Sequence, residues 1–226
     1  GKIAAAERAL LFVKPRMVLG LGTGSTASWF VKLLSEKIIS NGLEVLCVAT
    51  SKSTFDQAKS LKIPLTTLDD KNVIDMVIDG ADEFDLNLNL IKGGGGALLQ
   101  EKIVAAAAKR VIIITDSSKE SGFLGGFDLP VEIVQFGSRA TMSIISETLR
   151  DIGFMDFKVQ FRKDSNNENF VTDEGHFILD LRLKVIREPK LLHENLIRIP
   201  GVVETGLFLG VATTIVVGES DGHCKI

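Results

Sequence analysis

Three carboxylates, Asp79, Asp82 and Glu83, fall within five residues at the tip of an otherwise apolar strand. Carboxylates brought together at one strand end repel each other and are costly to keep ionised, so such a cluster serves either a cation or a catalytic task. Two of them would suit Mg²⁺, but His176, His193 and His223 have no ligand spacing and none lies near in sequence. A solvated acidic loop is the plainer alternative. Lys92 then opens a run of four glycines, Gly93 to Gly96, and Glu101 follows about one turn into the next helix. In an ordered element each glycine forfeits roughly 0.5 to 1 kcal/mol relative to Ala, so the run marks a flexible linker or a close backbone approach to a ligand. Its position between a compact polar loop and a strongly helical stretch disfavours a linker, and Lys92 brings positive charge toward Asp79 and Asp82. Taken singly, Glu101 and Lys102 read as helix-surface charges.

The anion-binding chemistry lies elsewhere in the chain. Gly20 to Thr26 (GLGTGST) separates a strand from a helix. Its glycines let backbone N–H groups approach an anion, the hydroxyls of Thr23, Ser25 and Thr26 donate hydrogen bonds, and the helix N-terminus beyond Gly24 adds partial positive charge. The bland reading is a glycine-rich turn with Ser25 or Thr26 as an N-cap. Gly22, Gly24 and Ala27 also fit the loose dinucleotide pattern, but the second strand ends in Ala49, Thr50, Ser51 and Lys52, with no carboxylate for a ribose. Neither glycine run closes with the Gly-Lys-Ser/Thr of a P-loop. At the end of another strand, Thr115 to Lys119 offers Lys119 to a phosphate and Asp116 to orient it, or simply a capped turn.

These residues need elements that deliver them to one place. Apolar strands at 17–21, 44–49, 75–78 and 111–115 alternate with helical patterns at 25–40, 51–61 and 97–110. This predicts a Rossmann-like α/β domain, a parallel sheet with helices on both faces, whose polar clusters sit at the carboxyl ends where open sheets bind ligands. From about Leu129 the order becomes strand, helix, strand, strand, helix, strand: 130–136, 138–152, 157–162, 170–182, 189–198 and 202–208. That order predicts a smaller ferredoxin-like α+β domain with a hairpin turn at Thr172 to Gly175. A last apolar strand at 211–217 returns to the first sheet, so the expected division is 1–127 with 209–226 against 128–208.

Composition bounds the partners. The 226 residues are 45% hydrophobic, enough for a full core, and 26 basic against 29 acidic residues leave a net charge of −3. No segment interleaves basic and aromatic residues, so nucleic acid is excluded as a partner. Cys47 and Cys224 read as reduced thiols of a cytoplasmic protein. No apolar stretch is long enough to span a membrane and no signal pattern is seen; the sequence opens at Gly1 rather than Met.

In this order, Gly22 to Thr26, Asp79 to Glu83, Lys92 to Gly96 with Glu101 and Lys102, and Asp116 to Lys119 resemble ribose-5-phosphate isomerases of type A. Phe170 to Gly175 and Pro200 to Phe208 also look like small-domain signatures of that family, so the resemblance runs over essentially the whole chain. One departure is His176, where the family pattern has Asn. The resemblance implies reversible conversion of ribose 5-phosphate to ribulose 5-phosphate in the pentose phosphate pathway, by a homo-oligomer, a dimer, with no metal and no cofactor. It further implies Glu101 as the base moving a proton between C2 and C1 and Lys92 as the group stabilising the enediolate. Asp79 would serve ring opening or proton relay, and Asp82 would orient substrate hydroxyls. Thr23, Ser25, Thr26 and Lys119 would grip the phosphate, with Lys2 as a helper, and Gly24, Gly80, Ala81, Gly93, Gly94 and Gly95 would complete the substrate contacts. A non-catalytic sugar-phosphate sensor is the rival reading. It needs the cradle but not a base, a lysine and a strand-end aspartate together, and the chain carries no appended DNA-binding segment.

Overall fold

The structure, a computed structural model, describes residues 1–226. The first half of the chain forms α1 (Lys2–Leu10), β1 (Val18–Leu21), α2 (Ser25–Asn41), β2 (Leu46–Ala49), α3 (Lys52–Ser60), β3 (Met76–Asp79), β4 (Glu83–Phe84), β5 (Leu90–Ile91), α4 (Leu98–Ala106) and β6 (Val111–Asp116). The second half forms β7 (Leu129–Ile133), α5 (Ser138–Asp151), β8 (Lys158–Phe161), β9 (Phe177–Arg182), α6 (Pro189–Leu196), β10 (Val202–Thr205), β11 (Leu207–Phe208), β12 (Thr214–Gly218) and β13 (Cys224–Lys225). No helix is long and apolar enough to cross a membrane.

The chain divides into two compact units, the first comprising Gly1–Ala81, Gln100–Glu120 and Gly210–Ile226. Its sheet runs β13-β12-β6-β3-β1-β2, and every pairing is parallel except that of β13. The register sorts the strand residues onto two faces, because side chains alternate along each strand. Leu19, Leu21, Met76, Ile78, Ile112 and Ile114 share one face, and they pack in one cluster with Phe30 and Leu34 of α2, Ala58 of α3 and Ala5, Ala6 and Ala9 of α1. Gly20 and Val77 lie on the opposite face. A Cβ on Gly20 would sit 2.5 Å from Val77 Cγ2 and 2.9 Å from Val104 Cγ1, so α4 packs closely on that side. Helices therefore cover both faces, and the strands read as unbroken apolar runs because neither face meets water. Helix α1 was not anticipated from the sequence. Its buried face is made of small alanines, which carry little periodic hydrophobic signal.

The second unit comprises Asp82–Leu99 and Ser121–Leu209. Its main sheet has the order β10-β7-β9-β8 with antiparallel pairings throughout, and α5 and α6 supply the two helices of the expected strand-helix-strand-strand-helix-strand order. Ile145, Leu149, Leu192 and Leu196 of the helices close on Val131, Ile133, Leu179 and Leu181 of the strands. Fully burying a side chain of this class contributes roughly 1.5 to 3 kcal/mol.

This division differs from the expected boundary at residue 127, since 82–99 and 121–127 group with the second unit. The cause is pairing invisible to periodicity. β4 and β5 are two residues each and join β11 in a separate antiparallel sheet. The buried Glu83 carboxylate also accepts hydrogen bonds from the backbone N–H groups of Gly125, Gly126 and Phe127. The strand expected at 202–208 is split for the same reason, β10 pairing with β7 and β11 with β5. The helix expected at 97–110 stops at Ala106. Within 170–182 regular strand begins only at Phe177, preceded by the expected turn, where Gly175 N–H donates to Thr172 O at 2.9 Å.

His176 has a structural partner. Its Nδ1 lies 2.9 Å from Glu132 Oε1, which also accepts from Thr172 Oγ1 at 2.9 Å, while Glu132 Oε2 is buried with no hydrogen-bond partner. Burial pushes the Glu132 carboxyl above its ordinary range, against the lowering effect of hydrogen bonds from His176 and Thr172. A carboxyl raised in the folded state stabilises the fold below its unfolded pKa, and that contribution is lost as pH rises through the folded value. Glu132→Gln should therefore gain melting temperature relative to the parent as pH increases from about 4 to 7. Thermal melts across that range check this, and a pH-independent difference would contradict it.

Candidate functional site

In the first unit, the turns after β1, β2, β3 and β6 all stand at the carboxyl edge of the sheet. Gly22 N–H donates to Ile78 O at 2.9 Å, which holds the β1 turn against β3. A Cβ on Gly22 would lie 2.1 Å from Asp79 Oδ1, so only glycine admits that carboxylate. Asp79 is buried, and its Oδ1 accepts from Thr23 N–H at 3.1 Å and from Gly80 N–H at 2.7 Å. Gly24 takes φ +104°, a conformation that favours glycine, and α2 begins directly after it with no side-chain cap. The first-turn amides of α2, from Ser25 and Thr26 onward, carry the partial positive charge of a helix N-terminus, which favours an anion. Lys2 Nζ donates to Ser25 Oγ at 2.8 Å and adds positive charge there.

Thr23 is more deeply engaged than the sequence indicates. Its Oγ1 lies 2.9 Å from Thr50 Oγ1, 2.8 Å from Ser51 Oγ and 3.2 Å from Thr54 Oγ1, while Thr54 Oγ1 donates to Gly22 O at 2.9 Å. Thr50, Ser51 and Thr54 are buried and fix the cradle from the side of β2 and α3. The sequence carried a signal for them, since Thr50 and Ser51 follow a strand end like every other polar cluster here. At the end of β6, Asp116 accepts from Ser118 N–H at 3.1 Å. Burial opposes ionisation of Asp116, but the Ser118 bonds and the charges of Lys2 and Lys119 outweigh it and hold the carboxyl below its ordinary value. Lys119 and Lys2 thus share one acidic neighbour at the sheet edge that carries the cradle.

Asp79 and Glu101 occupy the same side of this sheet. Asp79 alternates with Ile78 and so projects to the face of Val77, the face covered by α4. Helix α4 runs back along the sheet, because Ala107 and Ala108 just beyond it meet Ile74, ahead of β3. Glu101 precedes Val104 by three residues, on the same helix face and about 4.5 Å nearer the carboxyl edge. Asp79 lies two residues beyond Val77, about 6.6 Å in the same direction. Both carboxylates therefore reach a similar level, and Glu101, like Asp79, is buried.

In the second unit, Asp82 and the Lys92–Gly96 segment are tied together. Asp82 N–H donates to Ile91 O at 2.9 Å, and Gly94 N–H donates to Asp82 Oδ2 at 2.7 Å. A Cβ on Gly94 would fall 2.6 Å from Asp82 Oδ1, so the glycine admits the carboxylate there as Gly22 does at Asp79. Lys92 N–H donates to Gly206 O at 2.9 Å, and Lys92 Nζ stands 5.5 Å from the Phe208 ring centroid. Lys92 is 3% exposed, a burial that lysine rarely adopts. Gly93 and Gly95 complete this segment.

The structure thus gathers Thr23, Gly24, Ser25, Thr26, Asp79, Gly80, Ala81, Glu101 and Lys119 in the first unit, and Asp82, Lys92, Gly93, Gly94 and Gly95 in the second. No group of three or more His, Cys, Asp or Glu side chains is arranged to hold a metal ion.

The family model for ribose 5-phosphate isomerase A (phosphoriboisomerase A) matches residues 46–222. The chain is 50% identical to a ribose-5-phosphate isomerase A of Dinoroseobacter shibae over 225 residues, covering 100% of this chain and 86% of the relative. It superposes on ribose 5-phosphate isomerase from Plasmodium falciparum with a TM-score of 0.92 at 36% identity, covering 99% and 95% of the two chains. A D-ribose-5-phosphate isomerase solved in complex with phospho-erythronic acid gives the same score and identity, covering 99% and 96%. The chain belongs to the ribose 5-phosphate isomerase A family.

Proposed function

We propose that the chain interconverts ribose 5-phosphate and ribulose 5-phosphate through an enediolate, with Glu101 as the carbon base. The observation that carries this is the pair of buried carboxylates, Asp79 and Glu101, on one face at the carboxyl edge of the sheet, with the Gly22–Thr26 cradle on the neighbouring strand. Phosphate bound at the start of α2 and by Lys119 would anchor one end of the sugar, and anchoring turns remote binding into positioning of the reacting carbons. Phospho-erythronic acid bound to a related isomerase is a phosphorylated sugar acid, in keeping with such an anchor.

Glu101 takes the proton from C2, and the C–H electrons become the C1–C2 double bond as the carbonyl electrons move onto O1. Lys92 stabilises the negative oxygen, Asp79 moves the proton between O1 and O2 and assists ring opening, and Asp82 orients the substrate hydroxyls. Return of the proton to C1 gives the ketose. Gly24, Gly80, Ala81, Gly93, Gly94 and Gly95 contact the substrate through backbone. The same reading makes the protein a cytoplasmic homodimer of the pentose phosphate pathway that uses neither metal nor cofactor. Purified protein is expected to form ribulose 5-phosphate at an undiminished rate in excess chelator, followed by direct detection of the ketose. Loss of activity with chelator, restored by a divalent cation, would overturn the metal-free reading.

A further inference from the structure

Arg162 follows directly after β8, and its guanidinium is spread over three partners. Nε and Nη2 hold the two carboxylate oxygens of Asp180 at 3.0 and 2.5 Å, while Nη1 donates to Gly93 O at 2.6 Å and to Gly94 O at 3.1 Å. Both side chains of the ion pair are largely buried, at 13% and 16% exposure. A planar fork can bridge a carboxylate and two successive carbonyls at once, whereas an ammonium cannot.

The peptide joining Gly93 to Gly94 makes this contact directional. A trans peptide is planar, with its C=O and N–H pointing to opposite sides. Fixing Gly93 O on Arg162 therefore aims Gly94 N–H the other way, onto Asp82 Oδ2 at 2.7 Å. Arg162, this one peptide and Asp82 form a continuous line whose bonds polarise one another. The four glycines have no side chains with which to hold their own conformation, so orientation has to be imposed from outside the run.

We infer that Arg162, held by Asp180, is a positioning residue that orients the Asp82 carboxylate through the Gly93–Gly94 peptide. This rests on the proposed role of Asp82 in handling the substrate.

The test is a double-mutant cycle on kcat and KM with Arg162→Gln, Asp82→Asn and the double variant, each normalised to folded protein. Arg162→Gln is expected to lower kcat by about 10- to 100-fold, the scale of a misplaced catalytic geometry. In the Asp82→Asn background the same change should cost less than about threefold, because residues acting as one unit are not additive. Arg162→Lys keeps the charge but not the fork, and should hold the parent melting temperature while losing kcat. If Arg162→Gln gives no folded protein, Arg162→Lys and Asp180→Asn enter the cycle in its place. Equal losses in both backgrounds mean a merely structural role and overturn the inference, as does parental kcat in the folded variants. Parental kcat in Asp82→Asn alone would remove the role of Asp82 and this inference with it.

Discussion

Glu101→Gln is expected to lower kcat by about 10²- to 10⁴-fold, the range that a positioned general base supplies, with little change in the dissociation constant for ribose 5-phosphate. Gln matches Glu in size and keeps a polar group at the buried site on α4, so the change removes basicity while sparing the fold. The cradle at Gly22–Thr26 and its supporting hydroxyls are untouched by it, so phosphate anchoring should survive. Calorimetric binding beside steady-state turnover separates the two quantities. A variant that binds weakly but turns over normally when saturated would make Glu101 a binding group.

Lys92→Ala is expected to lower turnover by about 100-fold or more, as removal of a donor to a developing oxyanion does. The lysine is buried against the Phe208 ring in a segment whose backbone is fixed by Gly206, so its charge is held in a site poor in water, where electrostatic stabilisation is strongest. A transition-state role predicts that kcat and kcat/KM fall together. A rise in KM at constant kcat would show that Lys92 only binds substrate.

Much of the fold was legible because strand-end chemistry and periodicity point the same way. The strand-to-cluster junctions at Gly20–Thr26, Asp79–Glu83 and Thr115–Lys119 were visible, and the parallel sheet follows from apolar runs alternating with helices. The strand order of the smaller sheet was likewise implied by its element order. What escaped were features with no periodic signal. Helix α1 buries alanines, which read weakly in any pattern. β4, β5 and β11 are two-residue strands, too short to show a period and defined only by their pairing, which for β11 spans more than 100 residues, so the units divide differently from the expected boundary.

The candidate site divides the same way. Asp79 and Lys92 stood out by residue type and position, whereas Glu101 alone reads as a helix-surface charge and was singled out through the family resemblance. Thr50 and Ser51 were noticed only as an argument against a dinucleotide, and Thr54 was not singled out, because a hydroxyl declares its partner only in three dimensions. Arg162 was not singled out at all, since an arginine beside a strand has no local signature of the backbone it will hold.

The most direct measurement is hydrogen exchange at C2 of ribose 5-phosphate in deuterated buffer, followed by NMR with the parent enzyme and with Glu101→Gln. The parent is expected to wash deuterium into the C2 position of recovered aldose, and the variant to leave that proton in place while still binding the sugar. Exchange persisting at the parent rate in the variant would contradict the assignment of Glu101 as the carbon base.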